Sequence, residues 1–298
     1  MQALIGLLRT MRPKQWIKNV LFVFPAIIFD RQLTNSDSLV RVIFACVLLI
    51  LMSGTVYIIN DLVDIEKDRQ HPKKKNRPLP AGQLPKTLAQ VAAVILPTAT
   101  LIAAWFFDKE LSLVLAIYLI IQIAYSFWLK NVVIIDVLTV TSGFLLRVLA
   151  GVVVIDVANF SPWLYACSGL LALFLAVGKR RQELMTLGEQ ALQTRPIFKE
   201  YNLALIDDMM RLVTTSTFIA YLLYTIEADI GSFRGTKLAL LTVPFVLYGL
   251  YRYLYLMHVK GEGSAPDEVL LRDRPLQLAM VGWGLSFIIL LYLLPVGS

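Results

Sequence analysis

Long apolar runs recur along this 298-residue chain, and they limit its fold more than any other feature. They fall at about 19–30, 39–59, 87–107, 110–129, 132–155, 162–179, 209–227, 237–257 and 275–295. Most approach the roughly 20 residues needed to cross a bilayer core as a helix. Lipid offers the backbone no hydrogen-bond partner, so a spanning segment must satisfy itself as a helix or in a closed barrel. The runs are continuous rather than alternating, which predicts helices. The expected fold is all-α: a polytopic integral membrane protein of about nine transmembrane helices. Only 16% of residues are charged, against about 25% in soluble domains. The chain therefore reads as a single transmembrane domain over 1–298. The first run is short and is expected to reach back through Trp16. No small-residue cleavage site follows it, so it does not read as a removable signal. Asp108-Lys109-Glu110 reads as a tight helical hairpin turn.

Charge sets the orientation. Arg31, Arg41, Lys109, Arg234 and Lys237 fall on one side and Arg147 inside a run, while the rest of the 28 Lys and Arg fall on the other side. The positive-inside rule then predicts a cell-membrane (inner-membrane) protein with its N-terminus cytoplasmic and its C-terminus outside. The long polar loops, about 60–86, 180–208 and 258–274, lie on that same cytoplasmic side, so function is expected to face the cytoplasm. The net charge of +7 sits at helix ends rather than on a soluble face. It points to lipid headgroups and phosphorylated substrates, not nucleic acid. Cys46 and Cys167 fall mid-run and read as packing residues.

The main chemical signal is Asn60-Asp61-Leu62-Val63-Asp64-Ile65-Glu66-Lys67-Asp68, where the second run ends. On a helix Asp61, Asp64 and Asp68 share one face, beside Asn60. Such a stripe suits Mg²⁺ held by one or two carboxylates and the oxygens of a substrate phosphate. The plainer reading is a solvated acidic helix end. The loop that follows, His71-Pro72-Lys73-Lys74-Lys75-Asn76-Arg77, brings cations suited to a diphosphate. Lys73 and Arg77 are the residues favoured there, with Lys74 and Lys75 left to the lipid surface. Ordinary positive-inside charge accounts for part of this loop.

Further candidates are cations and polar groups near or inside the runs. Lys14, Lys18 and Asn19 open the first; snorkelling anchors would look the same. Tyr125 and Lys130 close the fourth. Asp136 and Arg147, within the fifth, are costly in lipid and so need a partner or a wet cavity, whether functional or a structural ion pair. Lys179 and Arg180 end the sixth, and Arg272 closes the last cytoplasmic loop. His71 and His258 suit neither a metal site nor a nucleophilic triad.

The Asn-Asp-x-x-Asp-x-x-x-Asp stripe after the second of about nine runs resembles the UbiA superfamily of membrane prenyltransferases, over nearly the whole chain. The resemblance implies a UbiA-like bundle with a cytoplasm-facing cavity. It also implies Mg²⁺ on Asn60, Asp61, Asp64 and Asp68, and matches Tyr125 with Lys130 to a Tyr/Lys feature of the family's fourth helix. Typical members carry a second Asp-rich motif after the sixth helix, where this chain has Gly178-Lys179-Arg180-Arg181-Gln182-Glu183-Leu184.

That departure is similar to the phosphoribosyltransferase branch, which acts on decaprenyl phosphate in actinobacterial cell-wall arabinan synthesis. The branch implies transfer of a 5-phosphoribosyl group from phosphoribosyl pyrophosphate to a polyprenyl phosphate, with release of pyrophosphate. Asp61, Asp64, Asp68, Lys73 and Arg77 would serve the leaving pyrophosphate. Lys14, Lys18, Asn19, Tyr125, Lys130, Asp136, Arg147, Lys179, Arg180 and Arg272 would serve the substrates. Related enzymes also suggest a homo-oligomer. Two alternatives stay open. One is a conventional prenyltransferase using a prenyl diphosphate and a small acceptor. The other is a transporter coupled through Asp136 and Arg147, although no inverted repeat or broken-helix pair marks one.

Overall fold

The computed structural model describes residues 2–70, 74–155, 157, 161–187, 196–227, 232–233, 236–261, 269 and 272–294. Twelve α-helices of five or more residues occur among them: α1 (Gln2–Thr10), α2 (Ile17–Val23), α3 (Pro25–Phe29), α4 (Ser36–Val63), α5 (Ile65–Gln70), α6 (Lys86–Phe107), α7 (Lys109–Phe127), α8 (Ile135–Val153), α9 (Pro162–Leu187), α10 (Leu203–Glu227), α11 (Val243–His258) and α12 (Arg274–Ile288). Among the described residues, eight helices are long and apolar enough to cross a membrane. The protein is thus a multi-pass, all-helical membrane protein, close to the expected nine spans. The difference lies in the first run. Ile17–Phe29 is apolar but shorter, and it breaks at Phe24 into α2 and α3. Pro25 causes the break, because it has no N–H to continue the ladder and its fixed φ suits a new helix start.

The chain forms two compact units, Met1–Ile27 with Gln32–Ala158, and Ile28–Arg31 with Asn159–Ser298. In the first unit α4 is the central helix, packing against α1, α2, α6, α7 and α8. Asn35 starts it by accepting from the Asp37 and Ser38 amides. Its 28 residues make it about 42 Å long, more than the roughly 30 Å of hydrocarbon. Its last turns therefore carry polar residues out of the apolar layer. The expected hairpin between α6 and α7 is tighter than three residues. Asp108 alone ends one helix and caps the next, accepting from the Leu111 amide at 2.9 Å.

Close approach of α2 and α8 depends on Gly151, where a β-carbon would overlap the Val23 carbonyl oxygen. Gly151→Ala must push the two helices apart. It is expected to cost about 1–3 kcal/mol or more, read as a lower unfolding midpoint in detergent.

In the second unit α9 packs on α10, α10 on α11, and α11 on α12. Tyr221, Tyr224, Phe287 and Leu290 form a buried cluster flanked by Phe29 and Trp283, and Trp283 Nε1 donates to the Tyr221 hydroxyl at 2.7 Å. Asp273 caps α12 through the Leu276 amide and accepts from both Nε and Nη2 of Arg252 at 3.1 and 2.8 Å. The Arg252 hydrogen bonds, and the Leu276 amide after them, hold the Asp273 carboxyl below its ordinary 3.8. The stabilisation is therefore complete above that ordinary value and is lost as pH falls through the lower folded-state value. Asp273→Ala is expected to cost about 0.5–2 kcal/mol at neutral pH. The gap from wild type should close in acid, as thermal unfolding at a series of pH values would read.

Candidate active site

The site is built where α4 leaves the apolar layer. Asp64, at φ −97° and ψ 8°, closes α4, and α5 begins at once. The helical hydrogen bonds still run through the junction, from Asp64 N to Asn60 O at 3.0 Å and from Asp68 N to Asp64 O at 2.8 Å. Asp61, Asp64 and Asp68 thus keep the stripe expected from their spacing, with Asn60 half-buried beside them.

Each carboxylate of the stripe meets a cation, and the three divide two and one. Asp61, 1% exposed, accepts from Arg12 Nη2 at 2.8 Å and from Arg77 Nη1 at 3.1 Å. The same Arg77 nitrogen donates to Asp68 Oδ2 at 2.6 Å, and Lys74 Nζ lies 3.8 Å from Asp68 Oδ1. Asp64 turns to Lys130, whose Nζ is 2.8 Å from both carboxylate oxygens. Lys130 sits on a 3-10 turn, Leu129–Asn131, just after α7, with half-buried Tyr125 on the last turn of that helix. Burying Asp61 and Asp68 as anions is tolerable because charge-assisted hydrogen bonds replace water.

Backbone strain marks two of the segments that present these cations. Arg12 is left-handed, at φ 54° and ψ 67°, which is uncommon for a residue with a side chain. Arg12 also lies over the Tyr57 ring at 4.4 Å, and Tyr57 donates to Gln15 Oε1 at 2.6 Å. Ile134, four residues past Lys130, has φ 68°, and Ile135 N bonds Val133 O at 2.8 Å. This is a γ-turn of the strained kind, and it redirects the chain from the Lys130 turn into α8.

A second network lies deeper in the same unit. Arg147, 8% exposed, donates from Nε to Asn19 Oδ1 at 2.8 Å, from Nη1 to the Gly143 carbonyl at 2.7 Å and from Nη2 to the Tyr118 hydroxyl at 2.8 Å. Asn19 Nδ2 in turn donates to Ser53 Oγ at 3.1 Å. Arg147 thereby ties α8 to α2 and α7, and α2 to α4. Its hydrogen-bond partners are neutral, so it differs from the ion pair with Asp136 weighed from sequence. Asp136 is wholly buried in the first turn of α8. Lys14 is exposed on the 3-10 turn Pro13–Gln15, whereas Lys18 lies on α2, so the two do not share one continuous helix. Lys73 lies outside the described residues.

The donor set fits a hard divalent cation. Its side-chain ligands are oxygens, and Arg77 Nη1 stands between two of the carboxylates, where a positive charge is already favoured. Among the described residues no three acidic or other metal-binding side chains converge. Mg²⁺ is commonly held by one or two carboxylates together with substrate phosphates and water.

The sequence signature of the UbiA prenyltransferase family matches residues 20–268. The chain belongs to this family. Among curated relatives, the decaprenyl-phosphate phosphoribosyltransferase of Mycolicibacterium smegmatis is 31% identical, over 93% of this chain and 90% of that protein. The enzyme of the same name from Mycobacterium tuberculosis is 32% identical, over 93% of this chain and 91% of its own length. The fold matches a UbiA homologue from Archaeoglobus fulgidus, solved with DMAPP and Mg²⁺, at a TM-score of 0.73. There the identity is 17%, and 97% of this chain and 100% of that one are covered.

The cations read from the sequence at the end of the sixth run lie on α9, in the second unit. Where the second acidic motif is expected, Arg180 is 4% exposed and pairs with Glu183 Oε2 at 2.6 Å. Arg181 pairs with Asp207 of α10 at 2.6 Å. Lys179 and Arg272 are exposed.

Sequence reasoning missed two cations. Arg12 is not among the candidates drawn from the sequence, and Lys74 was assigned to the lipid surface, yet both meet the stripe. Only the αL backbone at Arg12 sends its side chain to Asp61, and nothing in the local sequence signals that conformation.

Proposed function

We propose that this UbiA-family enzyme transfers the 5-phosphoribosyl group of phosphoribosyl pyrophosphate to a polyprenyl phosphate, releasing pyrophosphate. The reading rests chiefly on the near full-length likeness, above 30% identity, to two enzymes named for acting on decaprenyl phosphate. The site's chemistry supports it, because a cluster of cations around an acidic stripe suits a substrate that brings its own phosphates.

In the reaction the bond from the ribose anomeric carbon to the pyrophosphate oxygen breaks, and its electron pair leaves with pyrophosphate. An oxygen of the lipid phosphate forms the new bond to that carbon, which is oxocarbenium-like between the two events. Oxygens drawn from Asn60, Asp61, Asp64 and Asp68, one or two carboxylates at a time together with substrate phosphates, would hold Mg²⁺, which would supply charge neutralisation for the departing group. Arg12, Arg77 and Lys74, which lie against Asp61 and Asp68, donate to phosphate oxygens of the substrate. Lys73 acts on the same group, and exposed Lys14 offers a further phosphate contact. Lys130 keeps Asp64 oriented. Arg147 and Asn19 act one step back, holding α2 and with it the Arg12 turn. The nucleophile is already an anion, so no general base is needed.

The acidic stripe faces the cytoplasm in this reading, since most cations flank that side. The product, a lipid-linked 5-phosphoribose, would feed cell-wall arabinan synthesis. Pyrophosphate release by the purified protein tests the assignment. Release is expected with phosphoribosyl pyrophosphate, Mg²⁺ and polyprenyl phosphate together, and not when the lipid is omitted. Release instead from a prenyl diphosphate and an aromatic acceptor would make the protein a conventional prenyltransferase.

A further inference from the structure

We infer that α1 is an interfacial helix, seated in the headgroup region of the bilayer, which braces the cations gripping Asp61. Its nine residues are about 14 Å long, too short to cross a membrane. Apolar residues lie on the outward side of this helix as well as on the side packed against the protein. The inner face carries Gly6, Leu7 and Thr10. Gly6 and Thr10 are buried, and a β-carbon on Gly6 would lie 3.0 Å from the Gln83 carbonyl oxygen. Leu7 packs against a cluster that joins Met11, Ile58 of α4, Ile65 of α5, and Leu79 and Leu84 of the loop after Arg77. The outer face carries Leu4, Ile5 and Leu8, which are 62%, 44% and 52% exposed. Such a face in water would be unfavourable by the usual measure of apolar area.

The bilayer interface is the occupant this face fits. Only six residues separate the end of α1 from the start of α2, which opens the apolar stretch Ile17–Phe29. That connection holds α1 at membrane level. Arg9, Lys14 and Lys18 supply the cationic flank that an interfacial helix uses toward anionic headgroups. The inner face then transmits the seat to the site. Met11 lies between α1 and Arg12, and the Pro78–Leu84 segment follows directly on Arg77, so lipid contact on one face of α1 supports the presentation of both guanidinium groups. This role is independent of which lipid phosphate is the acceptor.

Spin labelling in vesicles containing anionic lipid reads the placement. Nitroxides are placed at positions 4 and 8, with position 106 on the exposed side of α6 and position 75 in the basic loop as references, in a Cys46→Ala, Cys167→Ala background. Labels at 4 and 8 are expected to relax more with oxygen than with a water-soluble nickel chelate, as at 106, whereas 75 shows the reverse. Nickel access at 4 and 8 equal to that at 75 would overturn the inference. Exclusion of both relaxants would also overturn it, since a protein surface, such as a second copy, would then cover the face. An independent reading keeps both native cysteines. Leu4→Gln with Leu8→Gln should raise amide exchange of 2–10 in vesicles about tenfold or more, with 86–127 unchanged. Equal exchange in the variant and the wild type would contradict the bilayer seat.

Discussion

Asp61→Asn is expected to lower transfer activity by about 10²–10³-fold, the loss typical when a preorganised charge at a reacting group is removed. The side chain keeps its size, so packing at this 1%-exposed position is preserved. The negative charge that Arg12 and Arg77 share is lost. Two guanidinium groups then face each other's field without their common counter-ion, and the stripe loses one of its anionic oxygen ligands. The loss should fall mainly on kcat, with the protein still extracted as a folded monodisperse species. Glu66→Gln is the matching control. Glu66 is 73% exposed and, among the described residues, pairs with Arg69 on its own helix, so its charge should be dispensable for activity. Turnover of the two variants side by side separates the stripe from general acidity at the helix end.

The largest effect on stability is expected at Arg147. Arg147→Lys keeps the charge, yet a single ammonium cannot reproduce a planar fork that reaches Asn19, Tyr118 and the Gly143 carbonyl together. Arg147→Met removes the charge and leaves those three groups buried without their donor. An unsatisfied buried polar group costs about 1–3 kcal/mol, so either variant is expected to lose about 3 kcal/mol or more. Arg147→Met tests whether burying the guanidinium itself is costly, because an apolar replacement sometimes recovers part of the loss. Thermal unfolding in detergent reads both. Asn19→Ala should show a smaller drop, since Tyr118 and Gly143 still hold the guanidinium.

Much of this architecture was legible from residue order alone. Helix α4 and helices α6 to α12 follow from apolar runs whose length matches the bilayer, a constraint that acts on each segment separately. The division of Ile17–Phe29 was also written in the chain, at Pro25, but an apolar run hides a proline unless hydrogen bonds are traced one by one. The stripe of Asp61, Asp64 and Asp68 was visible because helical spacing converts sequence distance into a shared face, and Arg77 because the loop is short. Lys130 was a candidate because it closes the fourth run and by family likeness, but its pairing with Asp64, 66 residues away, was not legible. Arg147 shows the opposite limit. From sequence the nearby charge is Asp136 on the same helix. The observed hydrogen-bond partners come from α2 and α7, and which spans become neighbours is decided by packing, including the fit of Gly151 against Val23. Arg12 depended on a left-handed backbone conformation that no periodic pattern encodes.

The central claim is tested most directly by the fate of two labels in one substrate. Phosphoribosyl pyrophosphate carrying radiocarbon in the ribose and radiophosphorus in the pyrophosphate would be incubated with the purified protein, Mg²⁺ and polyprenyl phosphate, then partitioned between solvent and water. Phosphoribosyl transfer predicts radiocarbon in the lipid phase and radiophosphorus in the aqueous phase, with both movements abolished by chelation and by Asp61→Asn. Radiocarbon remaining in water, or both labels entering the lipid together, would contradict it.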